Sequence, residues 1–155
     1  MRQEGLTLIE CLIALVLVSI ALLGVAGLQL SSLQDSRDSR WRAEALGLAE
    51  TMIERIRANP DVAEAFEMAA VTAADAIDCS SSILSMCNDK KAWMKEVQRS
   101  LPNSRASIAV NVVNDVKRVR LALQWRQQSL EEGESLPACG ANVLLGGCIE
   151  LDTRL

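Results

Sequence analysis

Between Leu6 and Leu30 only one side chain carries a charge, the carboxylate of Glu10. A lone ionised group inside a membrane span costs on the order of 2.5–3.5 kcal/mol, so such a residue calls for a partner and a role. The second set able to do chemistry is cysteine. Cys79 and Cys87 form one close pair and Cys139 and Cys148 another, while Cys11 stands apart in the apolar run. An even set of four in a chain carried past a membrane reads as disulfides. Neighbours in sequence close small loops at the least entropic cost, which pairs Cys79 with Cys87 and Cys139 with Cys148. Zinc would need shorter CxxC-type spacings, and Cys11 in lipid behaves as a small apolar residue. Little other chemistry is on offer. There is no His and no Tyr, which removes the commonest general base and the commonest metal ligand. No Ser/His/Asp set, CxxC, phosphate-binding Gly loop or paired-acid site occurs. The expectation is an interaction module and not an enzyme, with no catalytic residue, no metal and no cofactor.

The elements that hold these groups follow from the periodicity of apolar residues. The run from Leu6 to Leu30 would rise roughly 37 Å as helix, more than the ~30 Å of a hydrocarbon core. Beyond it a chain of 155 residues has room for one modest domain. After Leu30 the composition turns polar, yet apolar residues recur at Leu33, Trp41, Ala45, Leu48, Met52 and Ile56, the period of an amphipathic helix. Arg37, Asp38, Arg42, Glu50, Glu54, Arg55 and Arg57 lie opposite. Asn59-Pro60 ends the pattern. One helix from Leu6 to about Ala58 is therefore expected, apolar all round at first and striped afterwards. Gly24 and Gly27 interrupt the first half, either for close helix packing or as a soft point in the helix.

A second short helix fits the Ala-rich stretch from Asp61 to Asp78. Asn88 is placed to cap a helix showing Trp93, Val97 and Leu101 on one side and ending at Pro102. The period then changes to two. Ala106, Ile108, Val110 and Val112 alternate with polar or small residues, Asn114-Asp115 turns the chain, and Val119, Leu121, Leu123 and Trp125 alternate again. Glu131-Glu132-Gly133-Glu134 reads as a solvated loop. A last strand is expected from about Val143 to Leu151, broken by Gly146-Gly147 at a bulge or turn. The apolar sheet face needs a cover, and the striped half of the long helix supplies it, giving an α+β domain. Net charge is −4 without a basic run, so nucleic acid is not expected as a partner. Arg118, Arg120 and Arg126 are the only candidates for a basic binding face, and one solvated strand face explains them.

The order Gly5-Leu6-Thr7-Leu8-Ile9-Glu10, after a five-residue leader whose one basic side chain is Arg2, resembles the class III signal of type IV pilins and pseudopilins. The resemblance implies cleavage after Gly5 by a prepilin peptidase, N-methylation of Leu6, and a role for Glu10 in subunit assembly. An ordinary signal peptide cut near Gly24-Val25-Ala26 is the competing reading. A lipoprotein reading of Cys11 fails because Glu10 stands where a small residue is needed. Further on, the run Ala49-Glu50-Thr51-Met52-Ile53-Glu54-Arg55-Ile56-Arg57-Ala58-Asn59-Pro60 is similar to the end of the long helix in PilV-type minor pilins. Cys79, Cys87, Trp93, Leu101-Pro102 and Trp125 follow in the order of that group.

The resemblance implies the type IV pilin fold, a long N-terminal helix packed on a small antiparallel sheet. It implies a leader at 1–5, a transmembrane and assembly helix at 6–30, and a periplasmic head at 31–155. The implied role is that of a minor pilin in a tip or initiation complex that primes pilus assembly. Its partners would be other minor pilins and the major pilin, the prepilin peptidase, the inner-membrane assembly platform and an adhesin-like tip protein. It would sit in the inner membrane by a single span before assembly and at the cell surface afterwards. A type II secretion pseudopilin and a membrane-anchored periplasmic binding domain are the alternatives. The intact mass of the mature chain is expected to lack residues 1–5 and to carry one added methyl group. A mature chain starting at Gly27 or Leu28 would instead favour the ordinary signal.

Overall fold

The computed structural model describes residues 7–80, 83–113, 116–126, 139 and 146–155. Helix α1 runs without interruption over Leu8–Arg57. The chain divides into two compact units, one ending at Arg37 and the other running from Asp38 to Leu155. From Leu8 on, the described part of the first unit is helix. In the second, the last turns of α1 and helix α2 (Leu84–Ser100) pack on a four-stranded antiparallel sheet of order β1-β2-β3-β4. The strands are β1 (Met68–Val71), β2 (Arg105–Val113), β3 (Val116–Arg126) and β4 (Gly146–Arg154).

The stripe on α1 buries Ala45, Ala49, Met52, Ile53 and Ile56, with Trp41 and Leu48 packed at the margin. Leu33, counted in the same stripe from its spacing, is 68% exposed and belongs to the first unit. The Trp93 indole Nε1 of α2 donates to the Leu48 carbonyl of α1 at 2.9 Å. On α2 the buried positions are Cys87, Lys90, Trp93, Met94 and Val97, one face of a 3.6-residue period. The helix begins at Leu84, so Asn88 lies inside it and caps nothing. Cys87 N–H donates to the Ile83 carbonyl at 3.0 Å, and the buried Cys87, held to Cys79, draws the first turn back ahead of Asn88.

The stretch after Pro60 differs most from its sequence pattern. It forms a 3-10 helix at Pro60–Phe66, strand β1, and a second 3-10 turn at Ala74–Ala76. Ala-rich Met68–Val71 is a weak strand former, and its pairing with β2 through Met68–Ile108 and Val71–Ala106 makes it one. The β2–β3 pair keeps an unbroken register from Arg105–Gln124 to Val113–Val116. Val119, Leu121, Leu123 and Trp125 are buried, while Val112 at the hairpin end is 56% exposed. The turn at 114–115, the acidic loop at 131–134 and the start of the last strand at 143–145 lie outside the described residues.

Gly146 and Gly147 do not break β4. They pair with Arg126 and Trp125 in continuous register. Glycine is needed there because a Cβ on Gly147 would fall inside the Trp125 indole and one on Gly146 would meet the Trp125 carbonyl. Gly147→Ala is therefore expected to destabilise the head by about 1–3 kcal/mol. Gly47→Ala, with nothing near its Cβ in the interior of α1, should stabilise it by about 0.5–1 kcal/mol. Thermal unfolding of the full-length chain in detergent, followed by near-UV circular dichroism, checks both signs.

Candidate assembly and docking surfaces

From Leu8 to Leu33 every large apolar side chain of α1 is more than half exposed. By length and composition this helix is long and apolar enough to cross a membrane. Helix geometry explains the economy of polar groups: backbone amides are satisfied within the helix, and Ser19 Oγ donates to the Leu15 carbonyl at 2.7 Å. At the start, the Thr7 carbonyl accepts from the amides of Glu10 and Cys11 at 3.0 and 3.3 Å. The Glu10 side chain is exposed and has no ion-pair partner among the described residues. Arg37, the nearest described basic side chain along the unit, lies about 40 Å away at 1.5 Å per residue. A cation for Glu10 must come from the N-terminal residues or from another chain. Gly5 and Leu6 lie outside the described residues. Cys11 is a free, exposed thiol.

In the second unit Cys79 is bonded to Cys87 and Cys139 to Cys148, with Cα separations of 5.7 and 5.6 Å. The first bridge fixes the connection after β1 to the start of α2. The second fixes position 139 to β4, where Gln124 Nε2 approaches Cys139 Sγ at 3.7 Å. The same unit holds a polar knot that the sequence did not announce. Lys90 is 1% exposed, and its Nζ donates to the Glu67 carbonyl at 3.0 Å. Glu67 Oε1 in turn accepts from the Val110 amide at 3.2 Å, covering β2 where β1 stops pairing with it. Lys117 straps β3 to the 3-10 helix, donating to the Pro60 carbonyl at 2.8 Å and pairing with Glu64 at 3.0 Å.

The three arginines of β3 do not form one basic patch. Arg120 is neutralised by Glu150 (Nε to Oε1, 3.1 Å) and Asp152 (Nη2 to Oδ2, 3.7 Å). Arg126 lies at the other end of the strand, bonded through its backbone to Pro102 and Asn103. Arg118 alone stays unpaired among the described residues, and directly across from it stands Arg154 of β4. Only the β3–β4 register reveals that second cation; no local pattern marks it. Among the described residues no cluster of His, Cys, Asp or Glu has metal-ligand geometry.

Charge and burial give the head a signed pH dependence. Hydrogen bonds, first from its own backbone amide and then from Lys117, hold Glu64 below its ordinary 4.5. The Ser80 amide and hydroxyl hold Asp78 below its ordinary 3.8. Both contributions are present above those values and fade as pH falls through the folded ones. Burial lowers Lys90 below 10.5, partly offset by Asp78 and Glu67. The unfolded chain then holds that proton more tightly, so stability rises with pH through the window below 10.5. The melting temperature should fall as pH drops through the carboxylate range, less steeply in Asp78→Asn, and the alkaline rise should vanish in Lys90→Met. A pH series of thermal melts reads both.

A family model described as type IV pilin Tt1218 matches residues 27–95. A second, described as the prokaryotic N-terminal methylation motif, matches residues 1–26. No curated protein and no solved structure matches the chain.

Proposed function

The chain is a type IV pilin-like protein, and on that premise we propose that it is a minor pilin. Prepilin peptidase cuts it after Gly5 and methylates the amine of Leu6. The span at 6–30 holds it in the inner membrane until the assembly platform extracts it. It then joins other minor pilins, with an adhesin-like protein at the tip, and the complex primes polymerisation of the major pilin. Its chemistry is assembly and not turnover.

The observation that carries this reading is the uncovered apolar helix with a single carboxylate near its start, continuous with the helix that covers the sheet of the head. Alone, such a surface belongs in lipid. In a filament, neighbouring stems replace the lipid and exclude water. Desolvating Glu10 there costs several kcal/mol, which an opposite charge at hydrogen-bond distance offsets. The methylated amine of Leu6, on this or a neighbouring subunit, has the sign and the place. Because a misplaced stem leaves both charges unpaired, the pair favours one axial register.

Glu10→Ala should still insert, lose residues 1–5 and fold its head, yet join pili poorly. Glu10→Gln should fall between Ala and wild type or match Ala, because it keeps shape and loses charge. Immunoblots of sheared pili and membrane fractions, beside counts of surface pili, measure this. Wild-type recovery of Glu10→Ala in sheared pili would overturn the role given to this residue.

A further inference from the structure

We propose that the outer face of the sheet at the β2–β3 hairpin end, centred on Arg118 and Arg154, is a docking site for a carboxylate carried on an apolar strand of a neighbouring pilin head. The proposal rests on the minor-pilin reading and deepens it by giving the partner's chemistry.

Arg118 and Arg154 are register partners on adjacent strands, exposed on the same face. Cross-strand partners bring Cβ atoms to about 5 Å, and like charges placed so repel. Neither arginine has an ion pair or side-chain hydrogen bond among the described residues. One step along the sheet the comparable cation, Arg120, has two acidic partners. Among the described residues one arginine is thus neutralised and the next pair has no acidic partner, in a chain whose net charge is −4. Two guanidinium groups facing out together present donors for one carboxylate bound from both sides.

The surroundings select the carrier. Val113 and Val116 are register partners beside the pair on the same face, 51% and 37% exposed, and Val112 next to them is also exposed. Asn111 lies across from Arg118, and the two line a shallow hollow of about 330 Å³ together with Val112, Val113 and the paired Arg120 and Asp152. An acid set among apolar residues fits both halves of that surface. Nucleic acid fits it poorly: duplex DNA brings about one charge per 1.7 Å of axis, and the adjacent Glu150 and Asp152 would meet the next phosphates.

The test uses the full-length chain in detergent micelles and three fluorescent probes. These are the peptide acetyl-Val-Val-Glu-Val-Val-amide, which sets one acid between valines on the same strand face, its Gln counterpart, and a short DNA duplex, each read by anisotropy. The acidic peptide should bind about tenfold more tightly than the amide peptide, as for the loss of a charge-assisted hydrogen bond. The doubly substituted Arg118→Gln, Arg154→Gln chain should lose that preference while melting no lower than wild type, since the substitutions relieve a repulsion. Added salt should weaken the acidic peptide's binding. Equal binding of both peptides, an undiminished preference in the double variant, or a duplex that outcompetes the acidic peptide would each overturn the proposal. The assay needs neither leader cleavage nor filament growth. Its failure leaves the minor-pilin reading standing, and wild-type assembly of Glu10→Ala leaves the docking site standing.

Discussion

The rest of the structure depends on where the apolar surface of α1 goes. Burying one large aliphatic side chain is worth about 1.5–3 kcal/mol. A helix that leaves all of them uncovered from Leu8 to Leu33 therefore carries tens of kcal/mol of unfavourable contact if left in water. That exceeds the 5–15 kcal/mol by which folded domains usually hold together. Lipid or other apolar helices must take up the first unit. From Trp41 onward the same helix carries only a stripe, and the sheet absorbs it. One element thus serves two apolar media, and the change from all-round to one-sided patterning marks the boundary.

Within the head a modest core is reinforced by ties between elements distant in sequence. Trp93 bonds the backbone of α1, Lys90 and Glu67 join α2 to the β1 side of the sheet, and Lys117 holds β3 to the turn after Pro60. Two short disulfide loops add restriction of the unfolded chain, each worth about 2–4 kcal/mol in the chain-entropy view. On the outer sheet face Arg120 ties β3 to Glu150 and Asp152 of β4, and none of these ties uses Arg118 or Arg154 among the described residues.

Patterns that repeat over several turns or residues were readable from sequence: the long helix, its stripe, the alternation of β3 and the α+β arrangement. They are local, so periodicity alone reports them. What depends on distant partners was not. Met68–Val71 becomes a strand only because β2 offers an edge, and Gly146-Gly147 looks like a break until Trp125 is seen against it. Asn88 had the chemistry of a cap but not the position, since Cys87 is buried one residue earlier. Likewise the basic face read along β3 dissolves once β4 supplies Glu150 and Asp152, and reappears at Arg154, which no pattern along β3 could announce.

The central claim is that this chain becomes part of a surface filament through its stem. Mass spectrometry of filaments sheared from wild-type cells, purified away from membranes, addresses it most directly. Head peptides from residues 38–155 should copurify with the filaments at low stoichiometry, and should vanish from that fraction in cells lacking prepilin peptidase. Head peptides found only in the membrane fraction, or free in the medium with the stem removed, would contradict it.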